Sequence, residues 1–191
     1  MLELALHVLD ILQNTAEAGA TRVRLTIVED QGADCLTITV TDNGRGMDEQ
    51  TARRVLHPFY TTRTTRHVGL GLPLFAAAAE GAGGGLAIRS QPGKGTTVET
   101  TFQLSHPDRQ PLGDMAGTLL AFLLTGQAGD LEYQHRVLAK GASAGPPAAE
   151  NQFMFDTADI RAELAGVPLN QPRVAQWLAE FLAEGEAELI R

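Results

Sequence analysis

Leu36-Thr37-Ile38-Thr39-Val40-Thr41-Asp42-Asn43-Gly44-Arg45-Gly46-Met47 is the stretch on which the fold turns. Leu36, Ile38 and Val40 alternate with threonines, the period-2 pattern of a strand that keeps one face against a core. The six residues after it are turn formers, and their two glycines let the backbone bend sharply or let a flat ligand approach it. An aspartate at the end of a strand can accept a hydrogen bond from an exocyclic amine. Two readings of Asp42 to Met47 therefore stand side by side, a base-binding pocket and a plain tight turn.

Upstream, Val23, Leu25 and Ile27 repeat the alternation, so a second strand is expected, joined to the first by a polar loop from Glu29 to Asp34. Before it, residues 2–18 read as a helix with Leu2, Leu6, Leu9 and Leu12 on a wide apolar face. Glu3, His7, Asp10, Asn14 and Glu17 recur at spacings of four, three, four and three, which predicts a single polar stripe ended by Gly19. Asp10 and Asn14, one turn apart, could hold a hydrated magnesium ion through hard oxygen atoms, or could form an ordinary solvated helix face.

Downstream, Asp48 is expected to cap a short helix that stops before Pro58. The loop from Pro58 to Gly71 gathers hydroxyls, Arg63 and Arg66, and ends in Gly69-Leu70-Gly71. A helix follows over 72–82, with Pro73 in its first turn, where a missing N–H is harmless. Free N–H groups at such a helix start, beside glycines, suit a phosphate, and arginines can add charge-assisted contacts. Residues 86–90 and 97–104 read as two more strands around the turn Gln91 to Gly95. Thr96 there either belongs to the turn or touches a bound base. Helix, strand pair, helix, loop, helix, strand pair is an α+β order.

Past Ser105 the texture changes. His106 to Pro111 reads as a linker, 112–124 as an apolar helix, 130–138 as a strand and 140–150 as a Gly/Ala/Pro-rich loop. A short strand over 151–156 and helices over 157–165 and 172–190 complete the chain, the last with Val174, Trp177, Leu178, Phe181 and Leu182 on one side. The division expected is 1–108 and an α+β extension, 109–191, available for a partner or dimer contact.

The composition removes several function classes. With 23 acidic and 15 basic residues in 191, the net charge of −8 disfavours nucleic acid. Arg53, Arg54, Arg63 and Arg66 nevertheless crowd one stretch and hint at a local anion site. The single cysteine, Cys35, cannot form an internal disulfide or, by itself, a structural zinc site. A hydrophobic fraction of 43% supports a real core. The start has no signal-peptide pattern, and the apolar run from Met115 to Leu124 is about half of the roughly 20 residues of a membrane span. The expectation is a cytoplasmic protein without membrane contact.

Taken together and in order, these segments resemble the GHKL superfamily of gyrase, heat-shock chaperone ATPases, histidine kinases and mismatch-repair ATPases. The helix with Asp10 and Asn14 is similar to its N box, Asp42 to Met47 to the first glycine box, and Pro58 to Arg63 to the phenylalanine-containing box. Gly69 to Leu72 resembles the second glycine box and Gly93-Lys94-Gly95-Thr96 the last. The likeness covers roughly residues 3–104. It implies a Bergerat fold: a two-layer α+β sandwich with a mixed, mostly antiparallel sheet covered on one face by helices. It also implies Mg-ATP as ligand. Asn14 would hold Mg2+, Asp42 the adenine amine, and Gly44, Gly46 and Met47 the adenine pocket. Thr62, Arg63, Arg66, Gly69, Leu70 and Gly71 would serve the phosphates under a lid from Thr64 to Val68, and Thr96 would support the base. Hydrolytic members carry glutamate where this chain has Asp10, and an aspartate reaches about 1.5 Å less far. Two functions follow as expectations. One is a small kinase or weak ATPase with Asp10 as base, acting on a protein partner or phosphoacceptor. The other is a non-catalytic ATP-dependent switch or binding module.

Overall fold

The computed structural model describes residues 3–56, 70–126, 129–140 and 151–189. Twelve elements follow in chain order: α1 (Leu4–Glu17), β1 (Arg22–Asp30), β2 (Cys35–Asp42), α2 (Glu49–Arg54), α3 (Gly71–Gly81), β3 (Gly85–Gln91), β4 (Gly95–Gln103), α4 (Met115–Leu124), β5 (Asp130–Leu138), β6 (Gln152–Asp156), α5 (Thr157–Glu163) and α6 (Pro172–Leu189).

The strands form one six-stranded sheet in the order β3-β4-β2-β1-β5-β6. Every neighbouring pair is antiparallel except β1 and β5, which run parallel. Register puts Leu25, Val40, Val98 and Tyr133 side by side on one face, and all four are buried. The alternate residues Arg24, Thr41, Thr97 and Glu132 line the opposite, polar face. Helices α3, α1, α4 and α6 cover the apolar face, each in contact with the next. A single buried cluster runs from Phe75 and Phe102 under α3, through Leu4, Leu12, Leu25 and Ile38, to Phe122, Tyr133 and Leu182 at the β6 side. Each fully buried side chain of this size contributes about 1.5–3 kcal/mol. The result is the expected α+β sandwich with a mixed sheet.

Helix ends follow local chemistry. Gly19, at φ +72°, ends α1, with Ala20 N–H donating to the Thr15 carbonyl and Gly19 N–H to that of Ala16. Asp48 caps α2 by accepting from Thr51 N–H, and Asp114 caps α4 by accepting from Gly117 N–H, so α4 starts three residues later than the apolar run suggested. The start of α1 has no side-chain cap. Leu4 N–H donates instead to the Pro111 carbonyl at 3.0 Å and Ala5 N–H to that of Leu112 at 2.8 Å. The end of the expected linker and the residue after it therefore satisfy two donors that a helix start leaves without partners.

Two orientations differ from the sequence reading. His7 does not join the polar stripe of α1. It is buried and stacks on Phe75, with ring centroids 5.0 Å apart, so it sits on the α3 side of the helix. Burial pushes its pKa down. Trp177 does not enter the core beside Val174 and Leu178; it is 46% exposed and lies flat on Phe181. Among the described residues no helix is long and apolar enough to cross a membrane.

Candidate functional site

Asp42 is the last residue of β2, paired with Val23 on one side and Thr96 on the other. Three strands thus pin it, and it is 8% exposed. Its Oδ1 accepts from Gly44 N–H at 2.7 Å. Burial pushes its pKa up, opposed by backbone N–H groups of Gly44 and Thr96. A carboxylate offers about four acceptor positions, so capacity remains for a ligand amine.

The turn after Asp42 is fastened on three sides. Asn43 is engaged elsewhere: its Oδ1 accepts from Thr21 and Arg22 N–H, both at 2.9 Å, and its Nδ2 donates to Thr21 Oγ1. This ties the turn to the start of β1. Arg45 N–H donates to the Ala18 carbonyl, and Gly93 N–H donates to the Arg45 carbonyl at 2.7 Å. Gly46 adopts φ +64°, where a β-carbon would collide with the Gln91 carbonyl, and Gly95 adopts φ +93° against the Asp42 carbonyl. Both positions need glycine because backbone touches backbone there.

Ser90 completes this wall and was not singled out by the sequence. Its Oγ accepts from Met47 N–H at 2.8 Å, donates to the Gly95 carbonyl at 3.0 Å, and lies 2.9 Å from Thr96 Oγ1. One hydroxyl therefore joins the Asp42–Met47 turn to Thr96. The available signal was register: the turn Gln91 to Gly95 sets Ser90 opposite Thr96.

Asp10, half-buried on α1, faces the first turn of α3. A β-carbon on Gly71 would lie 3.1 Å from its Oδ2. Gly71 is the first residue of α3, and Leu70 before it makes no side-chain cap. Asn14 follows one turn along α1, also half-buried. The structure thus brings Asp10 to Leu70–Gly71 and, separately, Asp42, Gly44, Gly46 and Met47 to Thr96. Thr62, Arg63, Arg66 and Gly69, the Pro58–Arg63 box and the lid from Thr64 to Val68 lie outside the described residues. Of the crowded arginines, Arg53 pairs with Glu49 in its own helix. Among the described residues no group of three or more His, Cys, Asp or Glu side chains is placed to hold a metal.

Residues 2–106, more than half of the chain, match the family described as histidine kinase-, DNA gyrase B-, and HSP90-like ATPase. The sensor protein kinase FleS of Pseudomonas aeruginosa is 43% identical over 97 residues, covering 51% of this chain and 24% of that protein. The non-motile and phage-resistance protein of Caulobacter vibrioides is 33% identical over 111 residues, covering 53% of this chain and 13% of that protein. The match thus spans at most about a quarter of either relative. A solved structure, the N-terminal domain of a DNA repair protein, superposes with a TM-score of 0.51 at 16% identity, over 72% of this chain and 50% of that one, a likeness of fold. The chain belongs to the family of histidine kinase-, DNA gyrase B- and HSP90-like ATPases.

Proposed function

We propose that this chain binds Mg-ATP between α1, the Asp42–Met47 turn, the β3–β4 hairpin and the start of α3, and that it acts as a small kinase or weak ATPase on a partner protein. The observation that carries the reading is Asp42: a buried carboxylate, held by Gly44 and backed by Thr96, with acceptor capacity to spare. In this reading Asp42 accepts the adenine amine, Gly44, Gly46 and Met47 shape the base pocket, and Thr96 and Ser90 brace it. Phosphates meet Leu70 and Gly71 at the start of α3, since the N–H groups of a helix start favour anions. Thr62, Arg63, Arg66 and Gly69 belong to the same proposal.

Asp10 lies against that helix start. A carboxylate and a phosphate would repel there without a cation between them, which favours Mg2+ on Asn14 with Asp10 near its waters. The ion would supply charge neutralisation at the phosphates. Asp10 is then the residue available to take a proton from an attacking hydroxyl. ATP use of this kind places the protein in the cytoplasm. Within the proposal, residues 1–108 form the nucleotide module and 109–191 an extension that meets the partner.

A second reading, an ATP-dependent switch without turnover, draws on two facts. Asp10 is shorter than the glutamate of hydrolytic relatives, and the start of α1 hangs on the carbonyls of Pro111 and Leu112, so the extension is attached to the Asp10–Asn14 helix. Measured turnover that Asp10→Asn abolishes would exclude it.

Calorimetric titration of ATP with and without magnesium tests the site. Asparagine at 42 keeps the oxygen that Gly44 holds but replaces the other with an NH2 group, which would oppose the adenine amine donor to donor. Losing a hydrogen bond to a charged group costs about 1.5–3 kcal/mol, a fall in affinity of roughly tenfold or more. Circular dichroism of Asp42→Asn checks that the fold is retained. Unchanged ATP affinity in Asp42→Asn would refute the assignment.

A further inference from the structure

Strand β6 is an edge of the sheet, and its central residue, Met154, is 59% exposed. Among the described residues no strand pairs with its outer side, and such an edge with an exposed apolar side chain invites pairing with another strand. Above it, α6 is the outermost helix on that side, packed on α4 and on β6. Arg173, Trp177, Phe181, Glu184 and Glu188 recur at spacings of four, four, three and four, one stripe of the helix. Four of the five are exposed and Phe181 is half-buried. The stripe is basic at its start, aromatic in the middle and acidic at its end.

We infer that this edge pairs with a second copy of the same chain, β6 against β6 and α6 against α6, about one two-fold axis normal to the sheet. Two facts commit the surface to that occupant. First, a two-fold makes each element antiparallel to its copy, and an antiparallel α6 sets Arg173 opposite Glu188, so the stripe complements itself in charge. Second, one axis serves both layers. Phe181 touches both Phe153 and Phe155, at centroid distances of 5.4 and 6.1 Å, so the middle of α6 lies over the middle of β6. An axis beside Met154 therefore also passes between the midpoints of the two α6 helices. The contact is isologous, with Met154 meeting Met154, and the two sheets join into one.

Sedimentation of the full chain from about 1 to 200 µM, without nucleotide, tests this. A concentration-dependent dimer is expected. Trp177→Glu should weaken it at least about tenfold, as loss of an aromatic anchor does. Arg173→Glu should weaken it too, and adding Glu188→Arg to that variant should restore it, which only an antiparallel α6 pair predicts. In a Cys35→Ser background, Met154→Cys should cross-link to a dimer on oxidation, since a residue on the axis faces its own copy. If a Trp177→Glu chain fails to fold, the charge swap and the cross-link decide. A monomer throughout that range overturns the proposal. So does a dimer that resists Trp177→Glu and does not cross-link at 154.

Discussion

His135 sits where β5, β1 and α6 meet, and raising the pH should unfasten it. Its side chain is 4% exposed, with Nε2 3.2 Å from Glu29 Oε1 and Nδ1 3.0 Å from Glu186 Oε2. Glu186 also accepts from Tyr133 Oη at 2.7 Å. Carboxylates only accept, so both ring nitrogens must carry protons and the ring is an imidazolium. Burial pulls its pKa down, but the hydrogen bonds and charges of Glu186 and Glu29 outweigh that and raise it from 6.5 to about 9. Hydrogen bonding to His135 in turn lowers the pKa of Glu29, the same contact seen from its other end, so the two effects are not summed. A raised folded-state pKa stabilises fully below pH 6.5 and loses that contribution as pH rises through about 9. At 1.36 kcal/mol per pKa unit the contribution is about 3 kcal/mol. Urea unfolding at a series of pH values from 6 to 10 measures it, with His135→Gln as reference for the other groups that titrate there. The native chain should lose about 3 kcal/mol more than the variant across that range. Equal slopes for the two proteins would refute the imidazolium clasp.

Three further outcomes follow from single contacts. Ser90→Ala removes the hydroxyl shared by Met47, Gly95 and Thr96, so ATP affinity by calorimetry should fall while the unfolding free energy from urea titration drops by no more than about 1–2 kcal/mol. An unchanged affinity would remove Ser90 from the site. Thr157 is fully buried and its Oγ1 accepts from Leu131 N–H at 2.7 Å; Thr157→Val leaves that donor without a partner and should destabilise by about 1–3 kcal/mol, whereas Thr157→Ser should not. Asp48→Ala removes the cap of α2, a helix that buries no residue. Hydrogen exchange should accelerate within α2 by the equivalent of about 1 kcal/mol, with the global unfolding midpoint unmoved.

The amino-acid sequence by itself determined what depends on near neighbours. The alternation in Val23–Ile27 and Leu36–Val40, the caps Asp48 and Gly19, and the tight turn after Asp42 were all legible, because each is decided within a few residues. Spacing alone also aligned Asp10 and Asn14 on one side of α1. Partners distant in the chain were not legible. That β5 pairs parallel with β1 depends on α4 crossing the sheet, and nothing in the residues 130–138 records it. The same holds for Ser90, whose hydroxyl gains three partners only once β3 and β4 are in register. It holds for His135 too, since its two carboxylates come from strands and helices 106 and 51 residues away. Periodicity assigns a residue to a face of its own element but leaves open what that face will meet. His7 recurred with the polar residues yet packs on Phe75, and Trp177 recurred with the apolar ones yet turns to solvent. Only the packing of α1 on α3 and of α6 at the sheet edge decided those two, because burial is a property of the assembled layers.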